Sequence, residues 1–319
     1  RGIKSSFRYD CLCGSSENPS KLSNHYLFTK LFAHLIAGPK GIDELTRALK
    51  NFDYSDRCSL VWIGDYFAYR CRTCGLTPSM SLCGACFNAG NHENHDFNKF
   101  KSTCGGACDC GDPCVMKPSG NCRFHGPDKV ANRPCPPRNL IAVLQFLLPS
   151  VMKALMYWFW DQCKAEEPSL NENEAPMLFF LHRLHACGWV TQQLMVNVMI
   201  DLEVFADLIA ESERRLSIKE LKHKTLLESF LYTIVKLRFP ESLSTLLIGL
   251  LPINEFKKLF IDAYVDHYET IASTLMITSR VRNISPEVAM QLNNRIVHIS
   301  VQLFSGVDHA LRMVKEKRL

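Results

Sequence analysis

Eleven residues between positions 58 and 125 are of the types that hold a soft divalent metal: Cys58, Cys71, Cys74, Cys83, Cys86, His92, His95, Cys108, Cys110, Cys122 and His125. They form two CxxC pairs, one HxxH and one CxC. Zn²⁺ takes four nitrogen or sulfur ligands in a tetrahedron; a tight pair supplies two of them from one turn, and a distant pair closes the loop. Cys71 and Cys74 with His92 and His95 make one such set. Seven ligands remain, one short of two further sets, so one thiolate must serve both. Eleven residues filling twelve positions predict three zinc ions. Spacing leaves the bridging cysteine open, and Cys104 and Cys114 are spare candidates.

The chain has 15 cysteines, ten of them between Cys58 and Cys122. A disulfide framework suits a short secreted domain, but here histidines interleave with the cysteines, so metal in a reducing compartment is the better account. That places the protein in the cytoplasm, with room for a nuclear pool. With 319 residues, 47% hydrophobic and 22% charged, the chain can bury real cores, and disordered or low-complexity classes are excluded. The net charge of +5 is spread without a dense basic block. The run Leu140–Trp160 is interrupted by Gln145, Ser150 and Lys153 and reads as a buried helix, not a membrane span. The chain starts at Arg1 and stops inside a helical pattern, which reads as an excerpt of a longer protein.

The elements that must position these residues divide into four stretches. Residues 1–55 form an N-terminal helical region: Leu31, Phe32 and Leu35 recur at helical spacing until Gly38-Pro39, and Leu45 and Leu49 mark a second helix. From 56 to 127 the periodicity vanishes, as expected where metal supplies the folding free energy. Residues 128–137, with Pro134, Pro136 and Pro137, form a stiff connector. Residues 138–319 form a mainly α-helical, solenoid-like scaffold with predicted helices at 138–166, 175–187, 188–213, 217–238, 240–251, 253–278 and 286–317. Ser217 and Ser285 are the expected N-caps of two of them. Met177, Met195 and Met199 belong to its core; His182, His185 and Cys187 are packing residues on a helix; Cys11 and Cys13 are plain thiols. The acidic residues Asp201, Glu203, Asp207, Glu211 and Glu213 form a solvated face.

The spacing Cys58-x12-Cys71-x2-Cys74-x8-Cys83-x2-Cys86-x5-His92-x2-His95, followed by Gly105-Gly106-Ala107-Cys108-Asp109-Cys110-Gly111-Asp112 and Cys122-x2-His125, resembles the UBR box. That is the substrate-recognition zinc finger of N-degron-pathway E3 ubiquitin ligases. The helical remainder, including Asn294–Ser305, is similar to one animal branch of these ligases. The resemblance implies an irregular finger with three zinc ions, Cys86 bridging two of them. It also implies a parent RING-type ligase working with an E2 ubiquitin-conjugating enzyme, with no catalytic centre in this stretch. The expected cargo is a protein N-terminus or degron peptide.

In the family, carboxylates and backbone carbonyls grip the free α-amino group and a basic first side chain. Charge-assisted hydrogen bonds of that kind are the strong ones. The matching residues are Asp109 and Asp112, with Thr77, Ser79, Ser81, Ala107 and Trp62 around them. Thr77 stands where basic-end readers carry an acid, and Ala107 where they carry a bulky aromatic. These departures imply a relaxed or lost preference for basic first residues. Trp62 and Ser81 are expected to contact the second residue of the bound chain.

Three other functions compete. A zinc deaminase needs His-x-Glu beside its cysteine pair, but His92 is followed directly by Glu93, and the ligand count closes every site. A nucleic-acid finger would use Lys99, Lys101, Lys117 and Arg123, yet Asp109 and Asp112 repel phosphate; no nucleic-acid partner is expected. The remaining alternative is a structural zinc scaffold whose partners bind the helices.

Overall fold

The computed structural model describes residues 20–62, 65–103, 105–131, 133–164, 176–213, 223–237, 240–267 and 269. The first two helices form as the periodicity predicts, α1 at Ser20–Ala37 and α2 at Ile42–Lys50. In α2, Leu45 and Leu49 are buried. Asp43 and Glu44 lie in its first turn and Arg47 and Lys50 in its last, the arrangement a helix dipole favours.

Between them and the later helices lies a region of short elements. Strand β1 (Val61–Trp62) pairs antiparallel with β4 (Gly106–Ala107). Strand β2 (Tyr66–Cys71) pairs with β3 (Phe97–Ser102), in register from Tyr66 opposite Ser102 to Cys71 opposite Phe97. Helix α3 (Gly84–Ala89) is capped by the Cys83 thiol, which accepts from the Cys86 N–H. The apolar centre here is small: Trp62, Ala68, Met80, Leu82 and Met116, filled out by cysteines.

A short helix, α4 (Pro127–Ala131), opens the stretch read as a stiff connector. The body follows: α5 (Arg138–Gln162), α6 (Pro176–His185), α7 (Trp189–Ile200), α8 (Leu202–Glu213), α9 (Leu226–Lys236), α10 (Glu241–Leu250) and α11 (Asn254–Asp266). Helix α5 contacts α1, α6, α7 and α9. By length and composition it is the one described helix apolar enough to cross a membrane. Here one face of it, from Leu144 through Phe159 and Trp160, is buried in the helical core.

Two expected helices change shape. The single helix read over 188–213 is two, because Asp201 adopts an extended backbone and its Oδ1 accepts from Glu203 N–H (2.8 Å) and Val204 N–H (3.2 Å), ending α7 and starting α8. Within the helix expected over 217–238, α9 begins at Leu226, N-capped by the Thr225 hydroxyl, and 214–222 lie outside the described residues. Ser217, Ser285, Cys11, Cys13, Cys104, the helix expected at 286–317 and Asn294–Ser305 lie outside the described residues.

The junction between the short-element region and the helices is built from polar contacts. The Asp53 Oδ1 accepts from Trp189 N–H at 2.7 Å, capping α7 from 136 positions away in the chain. This requires Gly188: its φ is +107°, and a Cβ there would lie 2.3 Å from the Asp53 carboxylate. Gln192 Nε2 donates to Ser59 Oγ at 2.8 Å, and the Arg133 guanidinium stacks over Trp189 at 4.9 Å.

Candidate metal centre and acidic turn

The short elements exist to bring donor atoms together. Strand β2 ends on Cys71, and the backbone then turns so that Gly75 N–H reaches Cys71 O at 2.9 Å, delivering Cys74 to the same point. Cys83 and Cys86 sit at the start of α3. Cys108 and Cys110 follow β4, and Cys122 and His125 lie on either side of a bend that Ser55 holds against Phe124 O and Gly126 N–H.

Three sets of four donors result, each within a 4.8 Å span: Cys71, Cys74, His92 and His95; Cys58, Cys83, Cys86 and Cys108; Cys86, Cys110, Cys122 and His125. All eleven residues read from the sequence are in these sets, and Cys86 is in two of them. Cys114 is exposed and in none. The thiols are free and, apart from half-buried Cys58, buried.

The distances fit zinc. Zn–S and Zn–N bonds of about 2.3 and 2.0–2.1 Å give a sulfur–nitrogen edge of roughly 3.5 Å in a tetrahedron. The edges here run from Cys122 Sγ to His125 Nδ1 at 3.2 Å to Cys74 Sγ to His92 Nδ1 at 3.7 Å. Each histidine faces its set through Nδ1. Backbone N–H groups also point at the sulfurs: Cys83 N at Cys108 Sγ (3.2 Å), Cys86 N at Cys83 Sγ (3.3 Å), Cys122 N at Cys110 Sγ (3.3 Å). Donors aimed at sulfur suit thiolates.

Electrostatics points the same way. Burial and its neighbour Cys71 push the Cys74 thiol up to about 11. Cys86, ringed by Cys108, Cys110, Cys122 and Cys58, is pushed up, whereas hydrogen bonds from Cys108 hold Cys83 below the ordinary thiol range. Without a cation these buried sulfurs cannot all be thiolates together, and a bound dication would supply the missing charge.

The acidic turn hangs from these ligands. Cys58 N–H donates to Cys110 O at 2.9 Å, and Gly111 N–H to Asn121 Oδ1 at 3.0 Å. Gly111 has φ +95°, and a Cβ there would fall 2.0 Å from Asp56 O, so no other residue fits. Asp112 N–H then closes on Asp109 O at 3.0 Å.

Asp109 Oδ2 accepts from Ser81 N–H at 2.7 Å, while the Ser81 hydroxyl donates to Ala107 O at 2.9 Å. Burial raises the Asp109 carboxyl above its ordinary range, partly offset by the Ser81 bonds. Asp112 Oδ1 accepts from Cys114 N–H at 2.9 Å, and its Oδ2 pairs with Arg57 Nη1 at 2.9 Å. Leu76 N–H bonds Val115 O at 2.8 Å, which lays the Thr77 segment beside the turn; Thr77 and Ser79 share a hydroxyl contact at 3.3 Å.

Trp62 is buried, 6% exposed, stacked on Tyr66 and covered by Gly106, where a Cβ would come within 2.8 Å of the indole. Arg57, beside Asp112, is not singled out by the sequence: it is brought there because Cys58 shares a ligand set with Cys108, a grouping the spacing leaves open.

The histidines of α6 are packing residues. His182 Nε2 meets Ser242 O at 2.7 Å, and burial lowers His185 to about 4. Met177, Met195 and Met199 are buried as expected.

Comparison with known proteins agrees with the geometry. Residues 57–125 match the family described as "Putative zinc finger in N-recognin (UBR box)". The chain is 34% identical to Drosophila melanogaster E3 ubiquitin-protein ligase Ubr3 over 89% of its own length and 14% of the fly protein's. It is 29% identical to Homo sapiens E3 ubiquitin-protein ligase UBR3 over 89% of its length and 20% of the human protein's. Over 24% of the chain, and 4% of the relative, it is 44% identical to E3 ubiquitin-protein ligase PRT6 of Arabidopsis thaliana. The chain thus spans at most a fifth of these relatives.

Proposed function

We propose, from the premise that this chain belongs to the UBR-box family, that it is the substrate-recognition part of an E3 ubiquitin-protein ligase. Its finger reads protein N-termini or degrons through a zinc-organised acidic turn. One observation carries the reading: Asp109 and Asp112 are held on a turn whose backbone is fixed by metal-binding neighbours on both sides. Preorganised carboxylates suit an ammonium group, which needs two or three acceptors in fixed places.

Three zinc ions, with Cys86 shared between two, complete the finger. The helices beyond residue 138 act as a solenoid-like scaffold. Ubiquitin transfer belongs to a RING and an E2 enzyme outside this stretch, in the cytoplasm and in a nuclear pool. Asp109 takes the α-amino group, with Ala107 and Ser81 beside it. Thr77, lacking charge, gives a basic first side chain no ion pair, so uncharged first residues are accepted.

Calorimetric titration of the zinc-loaded chain with matched peptides beginning Arg, Ala, Ser, Met and acetylated Ala tests this. Free-amine peptides should bind, and acetylation or Asp109→Ala should abolish binding. The second reading, a zinc scaffold whose partners bind the helices, is favoured by the junction contacts of Asp53 and Gln192. It predicts no binding by any of these peptides.

A further inference from the structure

We propose that Arg57 is a built-in occupant of the acidic turn, a specificity-determining residue that denies Asp112 to a basic first side chain. The inference rests on the finger being an N-terminus reader. Each oxygen of Asp112 already has a partner, Oδ1 the Cys114 N–H and Oδ2 the Arg57 Nη1, each at 2.9 Å. An incoming guanidinium therefore meets a carboxylate already paired with a guanidinium, and a like charge beside it.

The occupant is presented from a clamped backbone. Cys58 N–H is tied to Cys110 O, Ser55 Oγ donates to Arg57 O at 2.6 Å, and Arg57 N–H donates to Asp56 Oδ1 at 3.0 Å. With the backbone already fixed, only side-chain freedom is lost in keeping the guanidinium at the turn, whereas a ligand must also give up translational and rotational freedom. The Arg57 side chain is half exposed and the Asp112 side chain is 20% exposed, which puts the pair at the rim where a ligand would enter, not in a core.

Asp109 is left differently. Its Oδ2 takes Ser81, and its Oδ1 has no hydrogen-bond partner among the described residues. One Asp109 oxygen thus remains unpartnered for an ammonium, while the Asp112 charge that would receive a basic side chain is already paired with Arg57. Arg57 and the uncharged Thr77 act in the same direction. The ligand class is a protein N-terminus with a free amine and an uncharged first side chain.

The test is calorimetric titration of the zinc-loaded 319-residue chain with two peptides that differ only in beginning with Arg or Ala. Wild type should prefer Ala. Arg57→Ala should raise affinity for the Arg peptide about tenfold more than for the Ala peptide, the worth of one charge-assisted hydrogen bond at a partly exposed site. Arg57→Gln, which keeps length and removes charge, should change affinity in the same direction. In Arg57→Ala/Asp112→Asn the gain should vanish. No gain for the Arg peptide in the single variants, with the Ala peptide still bound, overturns the role of Arg57 and leaves the N-terminus reading standing. A gain that survives in the double variant also overturns it. If no free-amine peptide binds any form, the N-terminus reading fails and this inference falls with it.

Discussion

The region from residue 57 to 125 and the helices beyond residue 138 solve the same problem by different means. The helices bury Phe159, Phe230, Phe256, Phe260 and a dense set of leucines, enough apolar surface to offset chain entropy unaided. The finger has Trp62, Met80, Leu82 and Met116, two-residue strands β1 and β4, and eleven metal-type ligands. A core of that size cannot hold a chain of that length, so its folding free energy is metal-binding free energy. The difference matters for the proposed recognition. A metal-built turn fixes carboxylates at the surface, where a hydrophobic core would need them absent.

The sharpest way to break the comparison is chelation. Structural zinc contributes on the order of 10 kcal/mol per ion, so chelator should unfold the finger outright while most helical circular dichroism and a cooperative melt persist. Loss of both regions together would erase the distinction. Next in size is Phe159→Ala, a fully buried ring in α5. Truncation should cost about 3–5 kcal/mol in urea titration and leave zinc content unchanged.

Acid should then separate the regions by another route. Burial holds His185 at about 4, against an ordinary value near 6.5. Above pH 6.5 both folded and unfolded states are neutral there. Between pH 6.5 and 4 the unfolded chain binds a proton that the folded one refuses, so helical stability falls as pH drops, by about 3 kcal/mol at the lower limit. Urea titrations of the chelated chain at pH 7 and 5 measure it, and His185→Gln should flatten that share of the slope. The smallest effect belongs to the junction. Asp53→Ala removes the cap on Trp189 N–H and should cost about 1–2 kcal/mol.

The two regions were also legible to different degrees. Ligand type and spacing are local and discrete, so Cys71, Cys74, His92 and His95 group themselves on the page. Helical periodicity placed α1, α2, α5, α6 and α10 within a few residues of their ends. It failed at Asp201, where hydrophobic residues continue on both sides and only a side-chain cap ends the helix. Strands β1 and β4 carried no pattern, since two residues cannot alternate; the ligands set their pairing. The burial of Trp62 is not legible in the sequence, because it depends on the absent side chain of Gly106, a contact 44 positions away. Arg57 was overlooked because its partner Asp112 is brought near by Cys58 and Cys108 sharing a ligand set, which composition alone does not reveal.

The measurement that bears most directly on a finger built by shared metal is zinc counting by native mass spectrometry, on wild type and on Cys86→Ser. Wild type should carry three ions per chain, and Cys86→Ser should keep only the one held by Cys71, Cys74, His92 and His95. Fewer than three ions in wild type, or the loss of only one in the variant, would contradict the account.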